Sequence, residues 1–235
     1  MAFGDNAFLA LWNDVEQSRD TDYNRWHTEE HVPERVSIPG ILAGRRYVAD
    51  RAAAHRYFTL YDLDGLATLA TGPYLAVAEQ PTDWSRAMRP DLRNFLRQPC
   101  RTLAQIGGGV AAHAATLRFV ASTTFGRHER MAQSLMSAVR RQGIVAARLG
   151  LVDDTATFPI ANMTQPSIAG DGDRFVLFVD GVEASVLSET VASASAWLET
   201  ETGAVGLVSQ IYRLAYMVRH DEVDPSLWMR GRKTP

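Results

Sequence analysis

Residues 7–13 alternate apolar and polar side chains closely enough to predict a strand, and residues 14–20 form a polar connection. From 22 to 36 the apolar positions recur at helical spacing, with Asp20 or Thr21 as N-cap and Ile38-Pro39-Gly40 as the stop. Two short runs, 45–49 and 56–62, have the composition of strands, the second rich in Tyr, Phe and Thr. Residues 65–80 and 81–97 read as helical, the first broken or kinked at Gly72-Pro73. A fourth strand is predicted at 101–106. The order is β-α-β-β-α-β.

The second half runs through the same order: strand 116–122, helix 129–142, strand 144–151, strand 174–179, helix 184–199 and strand 207–218. A loop of about twenty residues, 153–173, joins its second and third strands, which is long for a compact domain. Pro159, Pro166, Gly170 and Gly172 punctuate it. Residues 107–112, Gly-Gly-Gly-Val-Ala-Ala, mark a boundary and not a phosphate loop, because no Lys-Ser/Thr follows and the next element is a strand. A doubly wound parallel sheet would need strict strand–helix alternation, which is absent. The expected fold class is α+β. Two ferredoxin-like βαββαβ units, 1–110 and 111–235, bury their open sheet faces against each other as an intrachain α+β barrel, a pseudo-dimer.

At 235 residues, 46% hydrophobic and 22% charged, the chain can bury such a core without disulfides or metals. A net charge of −3 argues against nucleic acid as a partner, since phosphate binding wants a basic surface. Lys233 is the only lysine, which excludes Schiff-base chemistry outside the C-terminal tail. Cys100 is the only cysteine, so there is no intrachain disulfide, and its setting predicts a buried structural thiol. No signal-peptide pattern and no apolar run of about 18 residues is present, so the expectation is a soluble, cytoplasmic protein with no membrane partner. G-x-S-x-G, G-x-G-x-x-G and Walker motifs are absent.

His27, Glu30 and His31 spell H-x-x-E-H, the pattern of a zinc hydrolase helix. Pro33 follows two residues later and would cut that helix unless a kink tolerates it, and no third ligand is evident, so no metal is expected. Haem would need an axial histidine, for which the second half offers only His113, His128 and His220. His31 read alone ends a helix and titrates near neutrality, which suits a general acid or base. A capping histidine stabilised by the helix dipole is the alternative. Glu34 is expected in a salt bridge, with Arg46 as the partner that would fix the helix to the second strand.

Alternation on the strands suggests a second constellation. Phe8, Ala10 and Trp12 share a face, as do Tyr57, Thr59 and Tyr61, and as do Arg45 and Tyr47. If aliphatic faces pack on the helices, the remaining face is aromatic with Arg45 and Gln105 as polar points, which fits either a small-molecule pocket or a packed barrel centre. Arg45 or Arg46 could hold a carboxylate, though adjacent strand residues point to opposite faces. Trp84 and Arg86 could form a lid or anchor the additional helix.

The run Trp26-His27-Thr28-Glu29-Glu30-His31-Val32-Pro33-Glu34-Arg35, followed by Ile38-Pro39-Gly40 and Gly44-Arg45-Arg46-Tyr47, resembles the dimeric α/β-barrel superfamily, closest to EthD-like and other uncharacterised bacterial members. Pro81-Thr82-Asp83-Trp84-Ser85-Arg86 resembles a second segment of that group, while His27 stands where an aromatic such as tyrosine is expected. The resemblance implies a barrel, here within one chain. It does not choose among the superfamily's oxygenases, isomerases, cyclases and haem enzymes.

The leading expectation is a cofactor-independent small-molecule enzyme performing isomerase-, lyase- or cyclase-type proton transfer on an aromatic or polyketide-like substrate. His31, Glu30 and Tyr47 are the candidate catalytic groups. Arg45, Arg46, Trp12, Tyr57, Tyr61 and Trp84 are the candidate substrate contacts. The rival is a non-catalytic ligand-binding or structural barrel, and homodimerisation is compatible with either.

Overall fold

The computed structural model describes residues 6–49, 54–122, 125–156 and 172–229. Strand β1 (Ala7–Val15) leads through a short 3-10 turn into α1 (Asp20–Trp26), a π turn (His27–His31) and α2 (Val32–Val36). These three segments form one continuous helix. Arg19 occupies its N-cap without a side-chain hydrogen bond, so neither Asp20 nor Thr21 caps it. Pro33 does not cut the helix. It has no N–H to donate and crowds the preceding turn, and the chain widens there: the Val32 N–H bonds to the His27 carbonyl, five residues back. Such π bulges recur at functional sites.

Then come β2 (Ile41–Val48), β3 (Tyr57–Leu63), α3 (Gly72–Glu79), α4 (Asp83–Met88) and the long β4 (Leu92–Gly107). Pro73 sits in the first turn of α3 and starts that helix, where a missing N–H costs nothing. Residues 92–97, expected to be helical, are strand. They pair with β1 from Val15↔Leu92 to Leu11↔Arg97, and the ladder overrides their local preference. The second half supplies β5 (His113–Ala121), α5 (Phe125–Val139), β6 (Ile144–Val152), β7 (Asp173–Gly181), α6 (Ala184–Thr202) and β8 (Val205–Arg219), followed by α7 (Pro225–Met229). Most of the expected long loop, 157–171, lies outside the described residues. No described helix is long and apolar enough to cross a membrane.

The eight described strands close into one antiparallel barrel in the order β1-β3-β2-β8-β5-β7-β6-β4. Each half contributes the 4-1-3-2 sheet of a ferredoxin-like unit, and the seams are β2·β8 and β4·β6. β4 and β8 make this closure possible, because each pairs with its own half along one stretch and with the other half along the next. An approximate two-fold axis along the barrel relates the halves, since β1 and β5 lie opposite each other and run in the same direction. Residues correspond across it: Arg56-Tyr57 and Asp62 on β3 match Arg174-Phe175 and Asp180 on β7 in the same register.

Closure with helices outside buries both faces of most strands. Phe8, Ala10, Trp12, Tyr47, Phe58, Leu60, Phe178 and Tyr212 fill the lumen. Leu9, Tyr61, Leu63 and Ile41 face outward onto Val32, Val36 and Val77 of the helices. Trp12 stands opposite Phe58, so Tyr57, Thr59 and Tyr61 point the other way. The expected single aromatic face joining Trp12 to Tyr57 and Tyr61 therefore does not form. Gln105 is exposed on β4. In the second half α5 and α6 cover the sheet with a filled layer that includes Phe119, Phe175, Leu135 and Leu187.

Gly44 fixes the first helix layer. A Cβ there would lie 2.7 Å from Val32 Cγ1 and 2.8 Å from Val36 Cγ2, so α2 rests directly on the β2 backbone. Gly44→Ala is expected to lift α2, and His31 with it, at a cost of about 1–3 kcal/mol. Urea unfolding checks this, and a midpoint equal to the wild type would contradict it.

Candidate active site

A cavity of about 90 Å³ lies between the outer face of the first sheet and the helices that carry the π turn and α3. Leu9, Leu11 and Ile41 give it an apolar floor, while His31, Arg35, Arg89, Arg97, Tyr61 and Tyr74 supply its polar points. An engineered cavity of about 150 Å³ suffices for benzene, so a ring-sized ligand here would have to use the open mouth or shift side chains at the rim.

His31 is held by rings. Its imidazole lies 4.4 Å from the Trp26 ring and 5.2 Å from that of His27, centre to centre. Nδ1 is buried and accepts or donates no hydrogen bond. Burial first, then the charges of Arg35, Arg89 and Arg46, hold its pKa well below the usual histidine value, so the ring is neutral at pH 7. A neutral imidazole can take a proton and cannot give one. The same forces act on His27, where burial leads and Arg46 and His31 follow.

Three guanidiniums converge on this space. Arg35 pairs with Glu34 at 3.2 Å, Arg97 donates to the Tyr74 hydroxyl at 3.2 Å, and Arg89 donates to the Ala78 carbonyl at 3.1 Å. Glu34 therefore pairs with its neighbour Arg35 and not with Arg46. The Tyr61 hydroxyl is buried without a partner, and burial pushes its pKa up, so it stays a neutral donor.

The structure divides the expected residues into two groups. Around the helix lie His31, Tyr61, Glu30, Arg46, Tyr57 and Trp84. Of these only His31 and Tyr61 line the cavity. One Glu30 oxygen accepts from Trp26 Nε1 at 3.2 Å, Ser85 Oγ at 3.0 Å and Thr82 Oγ1 at 2.5 Å, which pins α4 to the first helix. Arg46 ties β2 to that helix through the Asn24 carbonyl and side chain and the Thr28 hydroxyl. Tyr57 donates to Asp20 at 2.8 Å. Trp84 packs near Trp26 and Met88 under the Arg25 guanidinium.

Arg45, Tyr47 and Trp12 lie instead in the barrel lumen. Arg45 bonds Asp62 at 2.5 Å and Asp180 at 3.3 Å, Arg148 bonds Asp62 at 2.8 Å, and the buried Tyr47 hydroxyl lies beside Arg45. Arg35, Arg89 and Arg97 escaped sequence reasoning. Arg35 stands four residues after His31, which places both on one helix face. Arg97 stands opposite Leu11 and reaches the cavity because β4 begins at Leu92.

The histidine pattern does not form a metal site. Glu30 is turned onto Thr82 and Ser85, and no group of three His, Cys, Asp or Glu side chains among the described residues is placed to hold an ion. Nor does the His31 cavity fit a haem. The cavity is far smaller than the macrocycle. His128 bonds Asp173 at 2.8 Å, His220 bonds the Val36 carbonyl at 2.6 Å, and His113 contacts the Val182 carbonyl at 3.4 Å.

No family model and no curated protein matches the sequence. Solved structures do match the fold. A candidate monooxygenase from Fusobacterium nucleatum superposes with a TM-score of 0.61 at 8% identity, covering 92% of this chain and 95% of that one. An anthrone oxidase-like protein gives 0.60 at 7% identity, with 94% and 95% covered. A chlorite dismutase mutant from Candidatus Nitrospira defluvii gives 0.56 at 9% identity, with 91% and 92% covered. Likeness at such identities speaks for the fold alone, and the chain has the dimeric α/β-barrel fold, closed within a single polypeptide.

Proposed function

We propose that this protein is a small-molecule enzyme that moves a proton on an anionic substrate with an apolar body, in the cavity of its first half. Residues 1–110 carry the site, and residues 111–235 complete the barrel. The observation that supports this most is a neutral His31, with Nδ1 unpartnered, on an apolar cavity lined by Arg35, Arg89 and Arg97. Low polarity and fixed cations favour a substrate that is anionic, or becomes so as it loses a proton, because preorganised charge in a dry site stabilises a developing enolate or phenolate. His31 takes the proton, an arginine holds the anionic oxygen, and the Tyr61 hydroxyl donates to it. One neighbour is described as an anthrone oxidase-like protein, and a small aromatic substrate suits the cavity of this chain too. Protein groups alone supply the acid–base chemistry.

The test does not require knowing the substrate. The protein is incubated in D2O with a panel of enolisable and phenolic carboxylates, and deuterium entering C–H positions is followed by NMR. Exchange or conversion of at least one compound, lost when His31 is replaced, is expected. A panel left untouched, together with ligands that bind away from His31 in a crystal, would turn the assignment to a binding barrel.

A further inference from the structure

We infer that the lumen mouth at the Trp12 end is a second binding site, for a small carboxylate, formed by the Arg118 guanidinium, the Trp12 ring and the Tyr212 hydroxyl. It stands apart from the His31 cavity, which lies outside the barrel wall, and does not depend on what that cavity does.

Arg118 is on β5 opposite Val176, a lumen residue, so it points inward. Across the approximate two-fold axis its counterpart is Trp12, and the two meet with the guanidinium 5.0 Å from the ring centre. The contrast with the other arginines carries the argument. Among the described residues that are not fully exposed, Arg19, Arg35, Arg45, Arg56, Arg141, Arg148 and Arg174 each pair with a carboxylate, and Arg46, Arg89 and Arg97 donate to carbonyl, amide or hydroxyl oxygens. Arg118 has a ring contact and neither a hydrogen bond nor an ion pair. A guanidinium that is partly desolvated and has no counter-ion is costly unless an anion fills its fork.

Further polar groups surround it. Tyr212 is 1% exposed, and its hydroxyl sits beside the Thr116 and Trp12 side chains without a well-formed hydrogen bond. The Arg118 charge acts on that phenol and lowers its pKa, while burial raises it more strongly. Arg118 also helps to lower the pKa of His55, whose buried Nδ1 is unpartnered too. These groups offer donors, and the neutral His55 ring can present Nδ1–H as one more. The nearest counter-charge, Asp14, is engaged by the Arg56 N–H at 2.6 Å and the Asn94 amide at 2.8 Å. What is missing is a planar acceptor. A carboxylate matches the guanidinium fork with two oxygens. The Trp12, Phe58 and Tyr212 rings, 5.0 and 5.4 Å apart in sequence, give its carbon body an aromatic wall.

The probe is benzoate, with inorganic phosphate and chloride as comparators. Arg97→Met serves as the background, so that the His31 cavity does not contribute. Titration calorimetry is expected to show one benzoate site there, and adding Arg118→Met is expected to weaken it about tenfold or more, the worth of a charge-assisted pair. The Arg118 Nε–H resonance should shift on titration in the Arg97→Met protein. Without ligand, Arg118→Met should leave Tm unchanged or raised, because it removes a partly desolvated charge that has no counter-ion. An unchanged benzoate affinity, no binding at all, phosphate bound equally well, or a fall in Tm on Arg118→Met would each overturn the assignment.

Discussion

Asp62→Ala is expected to lower the thermal midpoint by about 6–20 °C. Asp62 is the carboxylate that the lumen arginines Arg45 and Arg148 share, with Arg45 Nη2 at 2.5 Å and Arg148 Nη1 at 2.8 Å. Arg45 comes from the first half and Arg148 from the second, so the cluster ties the halves together inside the barrel. Removing Asp62 leaves two guanidiniums with Asp180 as their remaining carboxylate, 3.3 Å from Arg45. Breaking a buried pair from one side costs about 3–5 kcal/mol, and at this chain length each kcal/mol is worth about 2–4 °C. Replacing Asp62, Arg45 and Arg148 together by apolar residues of similar volume should recover much of the loss, which a deletion of packing alone would not do.

The pH dependence gives a second readout. Burial pushes the Asp180 carboxyl up to about 6, while Arg45 pulls it down. Its ordinary value is about 3.9. Between the two the native state holds a proton that the unfolded state has released, so this group's contribution to stability falls as pH rises through that window. In Asp62→Ala the carboxyl gains undivided use of the arginines and ionises more readily, so this slope should flatten. Calorimetric scans from pH 4 to 7 measure both. A midpoint within 2 °C of wild type, with an unchanged slope, would show that the cluster does not hold the halves together.

The order of elements was legible because helices and strands differ in period, and both halves display that difference. The sides of the strands were not. Alternation separates inside from outside only when one face meets water, and here Phe58 and Tyr57 are each buried, one in the lumen and one against the first helix. Grouping Trp12 with Tyr61 was therefore a choice between two apolar faces that composition could not decide. The strand at 92–97 was hidden because pairing with β1, not local sequence, makes it a strand, and Arg97 was hidden with it. His31 was legible from its motif, yet its partners were not. Pro33 suggested that the helix ended there, whereas the π turn carries it on to bring Arg35 to the same cavity. The repeated Arg-aromatic pair with Asp six positions after the arginine, at Arg56 and Arg174, was present in the sequence. It marks the two-fold relation more directly than element order does.

His31→Ala is expected to lower kcat by about 10²–10⁴-fold on whatever substrate the deuterium panel identifies, the usual worth of a positioned base. The pH profile separates this role from a structural one. In the free protein burial and the Arg35 and Arg89 charges keep His31 neutral well below the ordinary histidine range. As pH falls, protonation removes the base, so the acid limb of kcat/KM should lie well below pH 6.5, the ordinary value. An anionic substrate beside the ring offsets the arginines and favours the charged imidazole, so the limb of kcat should lie at higher pH than that of kcat/KM. A histidine that only packs against Trp26 predicts neither limb. Folding has its own dependence with the same cause. His27 and His31 are buried neutral, the unfolded chain protonates them first, and stability is lost as pH drops below about 6.5. His31→Gln keeps much of the volume and cannot titrate, so it should retain the wild-type fold near pH 7, lose turnover and soften the acid instability. Turnover retained in His31→Gln would remove the base role and leave the arginines as the part of the site that acts.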